Sequence, residues 1–221
     1  MGRPGGNDVK RIVVLISGRG SNMEAIARAG LGKRIPARVT AVVSDRPDAA
    51  GLALAQHLGI ATAAVPQTPG MDRAAYGRVL ADAVSGHDPG LVVLAGFMKI
   101  LDPVFTQRFA GRLLNIHPSL LPRFPGLHTH RRVLEAGDPE HGCTVHFVTE
   151  ELDAGPRIIQ AVIPVNEGDD EQSLSARVQR WEHIIYPEAV GLFAEGRLSM
   201  RDGSCWLDGR RLEQPIRRGE A

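Results

Sequence analysis

Asn115 and His117 are the residues of this sequence whose types and spacing best suit chemistry. They stand two positions apart in an apolar run, and side chains at i and i+2 of a strand point to the same face. Pro118 cannot continue an interior strand, so the pair is expected at a strand's carboxyl end, where open α/β sheets hold their ligands. An amide donor beside an imidazole can stabilise a developing oxyanion and move a proton, as acyl-type transfer requires.

A second candidate site is the glycine-rich turn Ile-Ser-Gly-Arg-Gly-Ser-Asn-Met at residues 16–23. Backbone amides of such a turn can close on an anion at the positive end of the following helix, and Ser21 and Asn22 can add side-chain donors. A dinucleotide fingerprint is the rival interpretation, with Asp45 as its acidic partner, but Met23 replaces its third glycine. A single phosphate fits better, and a glycine turn that only caps a helix is the remaining alternative.

The elements that must position these residues alternate between strand and helix. Continuous apolar runs, typical of parallel strands covered on both faces, alternate with segments of helical spacing. This alternation predicts an α/β fold with a mostly parallel twisted sheet and helices on both faces. The predicted strands are residues 12–16, 39–43, 60–65, 91–94 and 111–116, and the predicted helices are residues 21–29, 50–57, 73–84 and 103–109.

The last third of the chain changes character. Apolar runs at residues 144–148 and 158–163 flank a polar loop, which predicts an antiparallel pair. A long helix is expected over about residues 171–193, and Asp202-Gly203 indicates a short hairpin. The sequence therefore predicts an antiparallel extension at the carboxyl end of the parallel sheet.

Domain organisation and composition point to one globular unit. We expect a single domain over residues 11–210, between a flexible leader at residues 1–10 and a flexible tail at residues 211–221. The 26 Lys and Arg residues balance 25 Asp and Glu residues, so the charge favours neither a nucleic acid nor a membrane as partner. No apolar run approaches the roughly 18 residues of a membrane span. Two cysteines, Cys143 and Cys205, are expected to stay reduced, which predicts a cytoplasmic protein.

Five ordered segments of the sequence carry a family resemblance. They are Ser-Gly-x-Gly-Ser-Asn at residues 17–22, Leu-Ala-Gly-Phe-Met at 94–98, Asn-Ile-His-Pro-Ser-Leu-Leu-Pro at 115–122, Pro-Gly-Leu-His-Thr-His at 125–130 and Glu-Leu-Asp-x-Gly-Pro at 151–156. Together they resemble the folate-dependent phosphoribosylglycinamide formyltransferases, and the resemblance covers residues 11–210. The family's fold is a Rossmann-like parallel sheet with an antiparallel extension, which agrees with the pattern above.

The resemblance implies two binding regions. In the family, the loop that matches Gly20, Ser21 and Asn22 holds the phosphate of glycinamide ribonucleotide, and Glu182 matches a carboxylate that contacts its sugar. The pocket for 10-formyltetrahydrofolate also matches. Lys99 stands where some relatives have Arg, so the compact charge of an ammonium group replaces a planar guanidinium. The matching folate-binding residues are Arg73, Met98, Lys99, Ile100, Leu101 and Asn115.

The resemblance also implies a reaction, in which the amine of the glycinamide attacks the formyl carbon through a tetrahedral intermediate. Asn115 and His117 would stabilise its oxyanion, while Asp153 would hold the protonated imidazole and help remove the amine's proton, directly or through water. No covalent enzyme intermediate and no metal are expected. Four histidines invite a zinc interpretation, namely His128, His130, His141 and His146. However, no cysteine or carboxylate spacing completes their ligand set.

Other functional classes remain open. A nicotinamide-dependent oxidoreductase would use the glycine-rich turn with Asp45, although Met23 argues against it. A non-catalytic folate-binding or nucleotide-binding module would keep the pockets without needing Asn115, His117 and Asp153 together. Other folate-dependent enzymes of formyl transfer or hydrolysis share the Asn-x-His and Asp core. The expected partners are small-molecule substrates, and the expected assembly is a monomer or a homodimer.

Overall fold

The structure, a computed structural model, describes residues 9–220, and residues 1–8 of the expected leader lie outside this range. The described chain forms an eight-stranded sheet and a three-stranded sheet. The strands are β1 (Lys10–Ile16), β2 (Ala37–Ser44), β3 (Ala61–Ala64), β4 (Leu91–Leu94), β5 (Leu113–His117), β6 (Glu140–Phe147), β7 (Arg157–Pro164), β8 (Leu198–Arg201), β9 (Ser204–Leu207), β10 (Arg210–Arg211) and β11 (Ile216–Gly219). The helices are α1 (Ser21–Leu31), α2 (Ala50–His57), α3 (Arg73–Ser85), α4 (Pro103–Arg108), α5 (Thr129–Glu135) and α6 (Glu171–Ala194).

The first five strands form the parallel part of the large sheet, whose order is β11-β7-β6-β5-β4-β1-β2-β3. All pairings among β1 to β5 are parallel, which confirms the prediction from the alternating pattern. The chain builds β2 and β3 on one side of β1 and then returns to β4 on the other side. Such a reversal opens a crevice at the carboxyl ends of the neighbouring strands, where α/β proteins bind ligands.

Alternate residues of β1 enter two hydrophobic cores, one on each face of the sheet. Ile12, Val14 and Ile16 pack with buried residues of α1, α2 and α6. Val13 and Leu15 pack with buried residues of α3 and α4. Because helices cover both faces, every one of these strand positions is fully buried. This burial explains the continuous apolar run in the sequence, since a half-exposed strand would alternate.

Beyond β5 the sheet continues with two antiparallel pairings, as predicted. β5 pairs antiparallel with β6, and β6 pairs antiparallel with β7. β8 and β9 form the expected hairpin, with Asp202 at φ 48° and Gly203 at φ 68°, and tight hairpin turns favour these residue types because both positions need positive φ. Helix α5 was not predicted, because its segment contains only about two turns and little apolar periodicity.

The expectation of a flexible tail over residues 211–221 is wrong for residues 216–219. These residues form β11, which pairs in parallel with β7 at the edge of the large sheet. The guanidinium of Arg218 contacts the carboxylate of Glu188 in α6. No strand pattern was recognisable here, because adjacent arginines replace the apolar alternation. Backbone hydrogen bonds and this ion pair hold the segment instead.

Helix α6 borders the crevice and matches the predicted long helix. A capping box begins it, in which the carboxylate of Asp170 accepts from the backbone N–H of Ser173 and the Ser173 hydroxyl accepts in return. Farther along, the hydroxyl of Tyr186 lies 2.8 Å from the carbonyl oxygen of Leu94 in β4. This contact fixes the helix against the sheet, and Glu182, one turn earlier, lies on the same face. Within the part of the chain that the structure describes, no helix could cross a membrane.

Candidate active site

The carboxyl end of β5 carries an imidazole and a carboxyl group that contact each other in a buried position. The Nδ1 of His117 lies 3.5 Å from the Oδ2 of Asp153, and both side chains are almost completely buried. The Nε2 of His117 lies 3.0 Å from the backbone carbonyl oxygen of Phe124. Because both neighbouring groups accept hydrogen bonds, a doubly protonated ring can donate from both nitrogens at once. The structure thus brings together two of the three residues that the sequence singled out for catalysis.

Asp153 reaches His117 from the loop between β6 and β7. Its backbone has φ 53°, a left-handed conformation that Asp tolerates better than most residues. Its Oδ2 accepts a hydrogen bond of 2.8 Å from the backbone N–H of Gly126. Gly155 allows the loop to return tightly, since a Cβ there would clash with the carbonyl oxygen of Phe147. The burial and contacts of Asp153 do not fit an ordinary exposed turn aspartate.

Asn115, the third residue, joins this group through His146. The two residues lie opposite each other on β5 and β6, and the Nδ2 of Asn115 is 3.2 Å from the Nε2 of His146. That same nitrogen of His146 is 3.9 Å from the Oδ1 of Asp153. The amide, the two imidazoles and the carboxylate therefore form one cluster at the end of β5.

The glycine-rich turn joins β1 to the N-terminus of α1. Gly20 has φ 78°, and a Cβ there would lie 3.0 Å from the Cα of Gly51, so this position requires glycine. Gly20 offers no side chain to cap the first-turn amides of α1, which suits them to bind an anion. The Nε2 of Gln179 in α6 donates to the hydroxyl of Ser21 at 3.3 Å. The N-terminus of α1 is therefore in contact with α6.

A buried carboxylate lies beside this turn. The Nδ2 of Asn22 donates to the Oε2 of Glu182 at 2.8 Å, and both residues are buried. Burial raises the pKa of Glu182, and the hydrogen bond from Asn22 opposes that rise. Sequence reasoning missed Gln179, three residues before Glu182 in α6. Its polar side chain at i,i+3 spacing was the available signal, because residues three apart lie on the same helix face.

Residues 95–101, which follow β4, form a wall of apolar and polar side chains. Leu94, the last residue of β4, pairs with Asn115 of β5, so the segment begins beside the catalytic candidates. The side chains of Met98 and Ile100 are 68% and 59% exposed. Large apolar groups exposed next to polar ones suit a flat ring with a hydrogen-bonding edge.

Two basic side chains border this wall. Arg73, the first residue of α3, donates to the carbonyl oxygen of Leu101 at 2.5 Å. The Nζ of Lys99 donates to the Oε1 of Gln67 at 3.2 Å and lies 5.7 Å from the ring centroid of Tyr76. The residues that the resemblance implied for folate thus lie in one region, between the end of β4 and the start of α3.

Asp45, the candidate acidic partner of a dinucleotide, has a structural role here. The hydroxyl of Ser17 donates to the Oδ1 of Asp45 at 2.5 Å and accepts a hydrogen bond of 2.8 Å from the backbone N–H of Met98. Asp45 therefore supports the segment after β4 through Ser17. This structural role accounts for an acidic residue at position 45 without a bound dinucleotide.

Three of the four histidines that invited a zinc interpretation, His130, His141 and His146, contact other protein groups. The Nδ1 of His130 lies 2.9 Å from the Nε2 of His141, and burial lowers the pKa of both rings, that of His141 to about 3. Burial also lowers the pKa of His146 to about 4. His141 and His146 are therefore neutral hydrogen-bonding groups at neutral pH. Among residues 9–220, no three His, Cys, Asp or Glu side chains are grouped so that they could hold a metal ion.

Comparison with known proteins identifies the family of the chain. The family model described as "Formyl transferase" matches residues 10–190 of the chain. The phosphoribosylglycinamide formyltransferase of Escherichia coli (strain K12) is 55% identical over 91% of this chain and 95% of its own length. The family match includes both β5 and the glycine-rich turn.

Solved structures agree with the sequence matches. The phosphoribosylglycinamide formyltransferase of Coxiella burnetii superposes with a TM-score of 0.89 at 44% identity, covering 94% of this chain and 98% of its own. A formyltetrahydrofolate deformylase from Pseudomonas syringae reaches a TM-score of 0.83 at 26% identity, covering 90% of this chain and 65% of its own. The expected Rossmann-like fold and the resemblance are both confirmed. The chain that places Asn115 and His117 at the end of β5 belongs to the formyl transferase family.

Proposed function

We propose that this protein transfers a formyl group from 10-formyltetrahydrofolate to the free amine of 5′-phosphoribosylglycinamide, a step of de novo purine (IMP) biosynthesis. The observation that carries the proposal is the buried contact between His117 and Asp153 at the end of β5, with 3.5 Å between Nδ1 and Oδ2. Formyl transferases use formyl-tetrahydrofolate as co-substrate, and the E. coli relative is named for transfer to phosphoribosylglycinamide. The proposed partners are these two small molecules, bound by a monomer or a homodimer.

The proposed chemistry divides among three side chains. As the amine attacks, the formyl oxygen takes a negative charge, which the N–H of Asn115 and the protonated ring of His117 would stabilise. Asp153 balances the charge of that ring and accepts, directly or through water, the proton that the amine releases. The intermediate then breaks its bond to the folate nitrogen, and that nitrogen takes the proton that the amine released, delivered from Asp153 directly or through water. No bond to the enzyme forms at any stage.

The proposed binding groups fit the two substrates. The amides after Gly20, together with Ser21 and Asn22, would hold the phosphate, and the carboxylate of Glu182 would accept hydrogen bonds from sugar hydroxyls. For the folate, the exposed apolar side chains of the wall would contact the flat ring, while Lys99 supplies a point charge. The residues proposed for this second pocket are Arg73, Met98, Lys99, Ile100, Leu101 and Asn115.

A formyl-transfer assay with and without the acceptor tests the proposal. The purified protein should form tetrahydrofolate and the formylated ribonucleotide in equal amounts, and only when both substrates are present. Formate released without the ribonucleotide would instead indicate hydrolysis, the reaction for which the Pseudomonas syringae relative is named. Saturable binding of both compounds without turnover would favour a binding module.

Ser21→Ala and Asn22→Ala are expected to raise the KM for the ribonucleotide about tenfold or more, because a hydrogen bond to a charged group contributes about 1.5–3 kcal/mol. The KM for the folate should change little, since the turn lies at the end of β1 and the proposed folate wall follows β4. Steady-state kinetics with each substrate varied in turn measures both constants. Ser199→Ala, in the small sheet, serves as the control, and an effect confined to the folate would show that the turn is misassigned.

Glu182→Gln is expected to stabilise the protein at neutral pH and to weaken ribonucleotide binding. The raised pKa of Glu182 means that the folded protein keeps a proton at pH values where the unfolded chain, with an ordinary pKa of about 4.3, has lost it. Stability contributed by this group therefore falls as the pH rises from the unfolded to the folded pKa. Urea midpoints measured from pH 4 to pH 8 should fall less steeply in the variant than in the wild type.

The exposed Glu167 provides the control for this comparison. Glu167→Gln should keep the pH dependence of the wild type and its KM for the ribonucleotide. If the urea midpoints of Glu182→Gln and of the wild type fell equally steeply with pH, the raised pKa of the buried Glu182 would be contradicted.

A further inference from the structure

His146 is a buried histidine for which the proposed chemistry has no direct use. It lies in the middle of the site's hydrogen-bonding cluster and is only 2% exposed. Its Nδ1 is 2.8 Å from the carbonyl oxygen of Phe147, and its Nε2 is 3.2 Å from the Nδ2 of Asn115. Each ring nitrogen thus has one partner within hydrogen-bonding distance.

The partners determine which ring nitrogen carries the proton. A carbonyl oxygen only accepts hydrogen bonds, so the Nδ1 facing Phe147 must be the N–H. Because burial lowers the pKa of His146 to about 4, the ring is neutral at neutral pH and holds this one proton. Its Nε2 therefore presents a lone pair and can only accept.

The lone pair in turn determines the orientation of the Asn115 amide. The amide oxygen of Asn115 would repel the Nε2 lone pair of His146, whereas its NH₂ group can donate to it. One N–H of Asn115 is therefore committed to His146, and the second N–H stays available at the end of β5. Burial lowers the pKa of His146 more than the neighbouring Asp153 raises it, so the ring stays neutral and the arrangement holds.

We propose that His146 is a positioning residue, whose neutral Nδ1–H tautomer fixes the amide of Asn115 so that its free N–H faces the developing oxyanion. This inference rests on the proposed function and adds to it a residue that does not touch the substrates. The chain of hydrogen bonds runs from Asn115 through His146 to the carbonyl of Phe147 in the backbone of β6. The rigid sheet thereby holds a side chain that would otherwise rotate freely by half a turn.

The tautomer can be read without any substrate. Long-range ¹H–¹⁵N correlation NMR of the wild type at neutral pH should show a protonated Nδ1 and an unprotonated Nε2 for His146. Exchange of the Asn115 side-chain N–H with solvent should be slowed for one of its two hydrogens. A protonated Nε2 would overturn the inference, whatever the outcome of the formyl-transfer assay, so the two proposals can fail separately.

Kinetics of two substitutions test the positioning role. His146→Leu removes the acceptor and should lower kcat about 10- to 100-fold, because a misplaced donor loses its transition-state contact, with both KM values nearly unchanged. His146→Gln can present an amide oxygen near the position of Nε2 and should restore most of kcat. His57→Leu, at an exposed position, should behave as the wild type. Wild-type kcat in His146→Leu would overturn the proposal.

A double substitution separates positioning from a merely structural role. In an Asn115→Ala background there is no amide to orient, so adding His146→Leu should lower kcat no further. If His146 only stabilised the fold, the second substitution would cost the same in both backgrounds. An equal cost in both backgrounds would therefore overturn the proposal.

Discussion

His117→Ala and Asn115→Ala are each expected to lower kcat by about 10²-fold or more while the protein stays folded. Removal of one donor to an oxyanion costs about 10²- to 10³-fold, and loss of a positioned acid or base costs about 10²- to 10⁴-fold. Both side chains lie at the carboxyl end of β5, where His117 contacts the loop residues Phe124 and Asp153. The two substitutions should therefore remove stabilisation of the transition state and leave the packing of the hydrophobic cores intact.

Single and double variants together test this expectation. Because Asn115 and His117 stabilise the same charge, the double variant should lose much less than the product of the two single losses. Circular dichroism and thermal midpoints would verify folding, and His57→Ala is the matched control on an exposed helix end. Turnover like that of the wild type in both single variants would contradict the assignment.

The sequence predicts the positions of the first five strands well, for a physical reason. Strands buried on both faces need continuous apolar runs, and residues 12–16 and 91–94 are such runs with full or nearly full burial. The chemistry of β5 was visible for a similar local reason. The two residues Asn115 and His117 are separated by one position, so their relation follows from the period of a strand.

Contacts between distant segments could not be predicted in the same way. Gln179 lies 158 positions from Ser21, and His146 lies 31 positions from Asn115. No local period relates such pairs, because they depend on strand order and register. Strand β11 was missed because its pairing uses backbone groups, which every residue has, while its arginines resemble a solvated tail.

Asp153→Asn is the second substitution with a large expected effect. It keeps the shape of the side chain and can keep the hydrogen bond from Gly126, which is 2.8 Å long in the wild type. It removes the negative charge that lies 3.5 Å from the Nδ1 of His117. We expect kcat to fall by about 10²- to 10⁴-fold, with little change in the thermal midpoint. Asp202→Asn, at an exposed position with a similar φ of 48°, is the matched control.

The His117→Ala background shows how Asp153 acts. If Asp153 works through the imidazole, Asp153→Asn should cost little once that ring is gone, because the two residues act as a unit. If the carboxylate instead takes the proton of the attacking amine, its loss should cost about the same in both backgrounds. The Oδ2 of Asp153 lies 3.5 Å from the Nδ1 of His117, and the carbonyl oxygen of Phe124 lies beside the other ring nitrogen. Because the ring is held between these two acceptors, we expect the first outcome. Full activity of Asp153→Asn in the wild-type background would exclude both roles.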